Sequence, residues 1–171
     1  MNSILFVGGC RSGKSALALN WVEKAAPRRV FIATAQAVDA EMQKRIARHQ
    51  AERGPGWSCV EEPVKIVSAL QGAALANTAL LLDCVSFWLC NLMEQGLADK
   101  DILGQVEELA HWLAAPAVPV AVVTHESGCG VAPASLAGNH FRDLNGEANQ
   151  LLARHCHSVF FVSCGLPLCL K

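Results

Sequence analysis

Five short runs of apolar and often β-branched residues are spaced along the chain. They read SILFV, RVFIAT, TALLLD, PVAVVT and SVFFVS. Within these runs hydrophobicity is continuous rather than alternating, which is typical of strands that are covered on both faces, as in a parallel sheet. The pattern therefore predicts a mostly parallel sheet of buried strands.

Amphipathic segments of helical length separate these runs. The predicted helices cover about residues 14–25, 39–53, 64–75, 86–95, 101–114 and 141–156. Two weaker segments, residues 58–62 and the terminal LPLCLK that follows Gly165, are candidates for an edge strand and a last returning strand. Alternating strands and helices predict an open α/β sheet with helices on both faces. At 171 residues the chain suits one compact domain.

The first apolar run passes directly into a glycine-rich segment, GGCRSGKS. This segment satisfies G-x-x-x-x-G-K-[ST] between a predicted strand and a predicted helix. Backbone N–H groups of such a loop surround phosphate oxygens, the lysine faces the terminal phosphates, and the last hydroxyl reaches Mg²⁺. The N-terminal end of the following helix adds positive potential there. The predicted binding residues for a nucleoside triphosphate are Gly8, Gly9, Cys10, Arg11, Ser12, Gly13, Lys14 and Ser15.

A carboxylate supports this interpretation. The apolar run TALLLD ends in Asp83, and a carboxylate at that point can hold Mg²⁺ beside Ser15 or through water. Alone, Asp83 would be a routine residue at the end of a strand. Together with the phosphate loop, it predicts that Ser15 and Asp83 are the magnesium ligands.

The phosphate loop does not by itself define a reaction. The base-reading N-K-x-D segment of switch GTPases does not occur in the sequence, and a large mechanical ATPase is usually longer. A small-molecule kinase or a nucleotidyltransferase fits best. A regulatory or non-catalytic nucleotide-binding module is the alternative outside the enzymes.

Charge and composition limit the classes of partner that the sequence predicts. The net charge is −1 and the basic residues are scattered, so no nucleic-acid surface is predicted. The apolar stretch WLAAPAVPVAVV is broken by Pro116 and Pro119 and is shorter than the ~20 residues of a membrane helix. The N-terminal MNSILFVGG does not fit a secretory signal. The expected location is therefore the cytoplasm, where the eight cysteines would remain thiols.

Five segments in a fixed order carry a specific resemblance. They are GGCRSGKS, FIATAQAVDAEMQKRIARHQAERG, LLLDCVSFWLCNLM, VTHESGCGVAP and HFRDLNGEANQLLA. Nearly from end to end, the chain resembles the adenosylcobinamide kinase/adenosylcobinamide-phosphate guanylyltransferase family of cobalamin biosynthesis. Five ordered blocks are far more specific than a phosphate loop alone.

The resemblance implies a bifunctional enzyme with a P-loop NTPase-type, RecA-like fold. Members of the family phosphorylate the aminopropanol hydroxyl of adenosylcobinamide with ATP or GTP. They then transfer GMP from GTP to that phosphate through a guanylyl-histidine, giving adenosylcobinamide-GDP and pyrophosphate. In the family pattern E-M-x-x-R-I-x-x-H, here Glu41, Met42, Arg45, Ile46 and His49, the last position carries that histidine.

Elementary chemistry makes His49 a reasonable nucleophile. Neutral imidazole is nucleophilic near pH 7, and its phosphoramidate to GMP is reactive enough to pass the group on. On a helix, His49 would share one face with Ile46 and Met42. Without the resemblance, a structural or exposed histidine would be the simpler interpretation. With it, His49 and Lys14 are the predicted catalytic residues.

The resemblance implies further residues of the nucleotide site. Beyond the phosphate loop these are Thr34, Ala35, Gln36, Ala51, Glu52, Arg53, Gly54, Glu62 (or Glu61) and Asp83. By sequence alone, residues 34–36 would be a strand-to-helix connector, and the two glutamates would be a solvated edge. The family also implies a homotrimer.

One position departs from the family pattern T-N-E-x-G-x-G. This chain has THESGCG, with His125 in place of the asparagine. If that asparagine orients Glu126 or a phosphate, His125 would do so with a different pH dependence. The sequence leaves open whether both activities are present, only one of them, or another small-molecule kinase reaction.

Overall fold

A computed structural model of the protein describes residues 2–36, 43–44, 54 and 56–171. The strands are β1 (Ser3–Gly8), β2 (Arg28–Ala33), β3 (Trp57–Glu61), β4 (Thr78–Asp83), β5 (Val120–His125), β6 (Ser158–Ser163) and β7 (Leu166–Cys169). The helices with both ends in the described ranges are α1 (Lys14–Ala25), α2 (Ile66–Ala73), α3 (Val85–Glu94), α4 (Asp99–Ala114) and α5 (Leu136–His155). All five apolar runs and both weaker segments form strands. The predicted helix at residues 39–53 lies outside the described residues except for Gln43 and Lys44, which are helical and exposed.

The strands form one sheet in the order β3-β2-β4-β5-β1-β6-β7. Neighbouring strands are parallel, apart from β7, which returns antiparallel to β6. Strand β5 lies between β1, which leads into the phosphate loop, and β4, which ends at Asp83. The predicted open, mostly parallel α/β sheet is therefore confirmed. Because the strands are parallel, the loops that follow β1, β2, β4 and β5 meet at the same carboxyl edge.

Helices cover both faces of the sheet, and alternate strand residues supply the two cores. On one face α1 buries Ala18 and Val22 against Phe6 and Leu81. On the other face lie α2 to α5, with Trp88 buried among their apolar residues. Each large apolar side chain buried in this way contributes roughly 1.5–3 kcal/mol. These two cores hold the strand ends at fixed positions along the carboxyl edge.

The last helix begins five residues before its predicted start at Phe141, so that predicted boundary is wrong. The side chain of Ser135 accepts a hydrogen bond from the backbone N–H of Gly138 at 3.1 Å and caps the helix. The helix therefore starts at Leu136, which is 90% exposed and contributes nothing to the apolar face used for the prediction. In the part of the chain that the structure describes, no helix is long and apolar enough to cross a membrane.

Candidate nucleotide site

The phosphate loop, residues 8–15, joins the carboxyl end of β1 to the first residues of α1. Gly13 has a φ of 95°, in the left-handed region that favours glycine. At Gly8 the need is for space, because an added Cβ would lie 2.7 Å from the Ser12 hydroxyl and would also meet the Val162 carbonyl. Inside the loop, the Ser12 N–H donates to the Gly9 carbonyl at 3.3 Å. The two glycines of the motif are thus required for a tight, enclosed turn.

Lys14 and Ser15 open α1 directly after this turn. Lys14 is only 5% exposed, and its ammonium group donates to the Gly9 carbonyl at 3.0 Å, so the side chain folds back along the loop. The first N–H groups of a helix have no acceptor within the helix and carry its positive end. A cation and a helix N-terminus therefore converge on the concave side of one loop, an arrangement suited to phosphate.

Asp83 lies at the carboxyl edge two strands away from this loop, a separation of about 10 Å at the usual strand spacing. It pairs with Ala33 of β2 and Val123 of β5. Burial, and after it the Asp83 carboxylate, raise the pKa of the adjacent Cys84 thiol to about 12, while the Lys14 ammonium opposes the shift. The thiol is therefore neutral at physiological pH. Because both charges affect the pKa of this one thiol, the negative Asp83 and the positive Lys14 lie near the same part of the carboxyl edge.

Thr34 stabilises this edge through hydrogen bonds to the backbone of Cys84. Its side chain is fully buried; the hydroxyl donates to the Cys84 carbonyl at 2.7 Å and accepts from the Cys84 N–H at 2.9 Å. The Thr34 carbonyl accepts a hydrogen bond from the Asn91 amide at 2.8 Å. The Thr34 side chain thus fixes the backbone after Asp83, while Ala35 and Gln36 continue toward the surface.

His125 ends β5 and pairs with Gly8 of β1, so it stands between the phosphate loop and the strand of Asp83. Its ring makes an edge-to-face contact with Phe87 at 6.4 Å between centroids. Its Nδ1 atom is 3.8 Å from the Cys84 sulfur. The position that departs from the family pattern is therefore part of the edge itself.

A buried polar network fixes the backbone of His125. The His125 N–H donates to the Ser86 hydroxyl at 2.9 Å, and its carbonyl accepts from Asn145 at 2.8 Å and Asn149 at 2.9 Å. Ser86 in turn donates to Asn145 at 2.9 Å. Ser86, Asn145 and Asn149 were not predicted from the sequence as residues of the site. Their signal was the placement of Asn145 and Asn149 four residues apart, on one face of an otherwise amphipathic helix.

Glu126 continues from β5 and joins it to the phosphate loop, since its N–H donates to the Gly8 carbonyl at 3.0 Å. Its carboxylate accepts hydrogen bonds from the backbone N–H groups of Gly128 at 2.6 Å and Cys129 at 2.9 Å. Burial opposes ionisation of this carboxyl. The Cys129 and Gly128 N–H groups and the Arg142 guanidinium outweigh that effect and lower the pKa of Glu126. Glu126 is therefore ionised, and its carboxylate stabilises the conformation of the loop that follows β5.

Of the remaining predicted residues, the structure describes Glu62 and Gly54. Glu62 follows β3 at the carboxyl edge, where its carboxylate accepts from the N–H groups of Val64 at 2.9 Å and Lys65 at 2.8 Å. Gly54 is exposed and lies two residues before Gly56, whose carbonyl binds the amino end of β2. Gly54 therefore does not lie near the phosphate loop. His49, Ala51, Glu52 and Arg53 lie outside the described residues.

A comparison with solved structures identifies the fold. A prototypical ATPase from the type III secretion system of pathogenic bacteria superimposes with a TM-score of 0.56 at 12% sequence identity. The match covers 98% of this chain but only 56% of the ATPase chain. At this identity the similarity is one of fold, and it agrees with a P-loop sheet.

Comparisons of sequence are more specific. The bifunctional adenosylcobalamin biosynthesis protein CobP of Pseudomonas aeruginosa is 38% identical over 169 residues, which cover 98% of this chain and 96% of the relative. The protein CobU of Escherichia coli, with the same bifunctional description, is 32% identical over 180 residues, covering 98% and 99%. A sequence model for cobinamide kinase / cobinamide phosphate guanyltransferase matches residues 4–170. Together with the complete phosphate loop at the carboxyl edge, these matches show that the chain belongs to the cobinamide kinase / cobinamide phosphate guanyltransferase family.

Proposed function

We propose that the protein carries out two successive reactions on adenosylcobinamide. In the first, the aminopropanol hydroxyl attacks the γ-phosphate of ATP or GTP and the nucleoside diphosphate leaves. In the second, a ring nitrogen of His49 attacks the α-phosphate of GTP and pyrophosphate leaves. The cobinamide phosphate then displaces the histidine and becomes adenosylcobinamide-GDP. The observation that carries this proposal is the match to the bifunctional relatives over 98% of the chain.

The phosphate loop supports both reactions through binding. Its curled backbone, the buried Lys14 and the start of α1 direct positive potential at a single point. Such preorganised groups stabilise the charge that develops on a transferring phosphoryl group without needing to rearrange. Lys14 therefore orients the terminal phosphates in the kinase reaction and the leaving pyrophosphate in the guanylyl reaction. Of the other predicted residues, Gln36 and Glu62 stand at the same edge.

Mg²⁺ is the ion that we assign to Ser15 and Asp83. A hydroxyl and a carboxylate are the hard oxygen donors that Mg²⁺ accepts together with phosphate oxygens and water. Asp83 is the last residue of β4, and Ser15 follows β1 by way of the phosphate loop. Because the carboxyl ends of these two strands share one edge, the donor set fits the ion. When bound, Mg²⁺ supplies charge neutralisation for the triphosphate. Alignment of the phosphates remains the task of the loop and of Lys14.

Turnover with purified components tests the proposal. Wild-type protein given adenosylcobinamide, ATP and GTP should form the cobinamide phosphate, adenosylcobinamide-GDP and pyrophosphate, and a metal chelator should stop both reactions. Phosphorylation without guanylyl transfer would instead identify a kinase in which His49 only lines the acceptor pocket. Nucleotide binding without any turnover of a cobinamide would identify a non-catalytic binding module.

Acceptor binding is proposed on the apolar loop after Glu126, made of Val131, Ala132 and Pro133, together with Leu136, the first residue of α5. Val131 is 98% exposed and Leu136 is 90% exposed. Clustered apolar side chains that remain in water are typical of a binding surface. The loop begins beside the Gly8 carbonyl, at the same edge as the phosphate loop. A corrin ring, which is large and partly apolar, suits such a surface.

Replacing Val131 and Leu136 with serine should therefore weaken acceptor binding selectively. We expect the KM for adenosylcobinamide to rise by roughly tenfold or more, since each buried apolar side chain contributes about 1.5–3 kcal/mol. The affinity for GTP and the thermal stability should not change, because both side chains are exposed in the free protein. Leu75→Ser is the matched control: Leu75 is 62% exposed and precedes β4 at the opposite edge. Equal KM values in both variants would contradict this surface.

Domain organisation and assembly belong to the same proposal. Residues 1–171 are proposed to act as one P-loop α/β domain that serves both reactions. The resemblance makes a homotrimer the proposed assembly. Sedimentation of the purified protein measures that state independently of its activity.

A further inference from the structure

The turn between β6 and β7, formed by Cys164 and Gly165, packs against the backbone of the phosphate loop. We infer that this β6–β7 turn positions the loop for nucleotide binding and that Gly165 is a positioning residue of the nucleotide site. The inference rests on the proposed function, because it concerns the same phosphate loop. It adds a segment more than 140 residues away along the chain from that loop.

The geometry of the turn requires unusual backbone angles. Ser163 and Leu166 pair across the hairpin, which leaves two central residues. Cys164 has a φ of 53° and Gly165 a φ of 78°, the signs of a two-residue type I′ turn. Glycine adopts such angles at little cost, whereas residues with a Cβ, and β-branched residues above all, are strained there. The shape of the turn therefore depends on Gly165.

Three contacts join this hairpin to the phosphate loop. The Gly165 N–H donates a hydrogen bond to the Ser12 carbonyl at 2.8 Å. A Cβ on Gly13 would lie only 3.0 Å from the Gly165 Cα, and a Cβ on Gly8 would meet the Val162 carbonyl. The loop thus rests on the hairpin backbone, with no room for a side chain on Gly8 or Gly13.

The hydrogen bond to the Ser12 carbonyl also orients the peptide group between Ser12 and Gly13. In a trans peptide the carbonyl and the following N–H point in opposite directions. Because the Ser12 carbonyl is directed at Gly165, the N–H of Gly13 is directed away from the hairpin. That N–H directly precedes Lys14 at the start of α1. Backbone N–H groups aligned in this way form the anion-binding concavity of a phosphate loop.

The hairpin is itself anchored at its far end. The Lys171 ammonium donates to the carbonyls of Ala153, Arg154 and Cys156 at the end of α5, the shortest of these bonds being 2.7 Å. A cation at the C-terminal end of a helix is electrostatically favourable. The β6–β7 turn is therefore a fixed support, held through β6 on one side and through β7 and Lys171 on the other.

Substitution at Gly165, with Gly96 as the control position, tests the inference. Gly96 has a φ of 75°, and an added Cβ there, as at Gly165, has no atom within 4 Å. It lies beyond the far end of α3, away from the phosphate loop. Gly165→Val and Gly96→Val should therefore lose similar thermal stability. Only Gly165→Val should raise the Kd for Mg·GTP and Mg·ATP, by on the order of tenfold, the loss expected for one hydrogen bond that orients the loop.

Asparagine provides the rescue, because it tolerates positive φ. Gly165→Asn should bind Mg·GTP with nearly the wild-type Kd, and Gly165→Ala replaces the valine variant if that does not fold. Equal Kd values for the matched Gly165 and Gly96 variants would overturn the inference while leaving the proposed function intact. A wild-type protein that binds neither nucleotide would contradict the proposed function, and the inference with it.

Discussion

The variant His49→Asn is expected to carry no GMP after incubation with Mg·GTP labelled at the α-phosphate. The wild-type protein should carry one acid-labile, alkali-stable label per active site. In the proposed step a ring nitrogen forms a bond to the α-phosphorus, the bond to the β-phosphate oxygen breaks, and pyrophosphate leaves. The asparagine amide is polar but far less nucleophilic than imidazole, so the adduct cannot form.

Adduct formation and acceptor phosphorylation should respond differently to this change. We expect His49→Asn to retain phosphorylation of adenosylcobinamide by ATP, since that step transfers the γ-phosphate directly. The control is His140→Asn: His140 is an exposed histidine whose Nε2 lies 2.8 Å from the Asp99 carboxylate. That variant should label like the wild type. A labelled His49→Asn protein would refute the assignment, and an unlabelled wild type would refute the covalent route.

The variant Lys14→Met should lose both reactions. Methionine keeps most of the length of the side chain but removes the ammonium that lies over the loop. Loss of a preorganised group that stabilises transition-state charge lowers kcat by about 10²- to 10³-fold. We expect phosphoryl transfer and guanylyl transfer to fall together, because one loop holds the triphosphate in both. Rates measured separately with ATP plus adenosylcobinamide, and with GTP plus the cobinamide phosphate, test this.

Lys24→Met is the matched control for this substitution. Lys24 lies in the last turn of the same helix and is exposed, so its replacement removes the same charge away from the loop. It should keep both rates near the wild-type values. If Lys14→Met retained either rate, the two reactions would not share the phosphate loop, and a second nucleotide site would have to be sought.

The strands were predictable because a strand that is buried on both faces consists of consecutive apolar residues. The run TALLLD is apolar from Ala79 to Leu82, before its final carboxylate, and it forms β4, which is buried from Thr78 to Leu82. Helix α1 was predicted at its observed bounds, because the phosphate loop defines its start. The start of α5 was missed because it depends on the Ser135 cap rather than on a repeated apolar face.

The candidate site was predictable only where one short segment carries its chemistry. Residues 8–15 contain a complete motif, and Asp83 ends an apolar run. Thr34 was predicted in the nucleotide site, but the hydrogen bonds of its side chain to Cys84, fifty residues further along the chain, were not. The support that Asn145 and Asn149 give to His125 depends likewise on contacts between distant segments.

The phosphate loop and the strands of the sheet follow from local chemistry, because their residues are neighbours along the chain. The order of those strands follows from packing. Only in the folded sheet does β5 separate β1 from β4, so that His125 stands between Gly8 and the strand of Asp83. Only there does Gly165 meet the Ser12 carbonyl. No sequence pattern encodes this contact, because it arises when separate segments bury their apolar faces together.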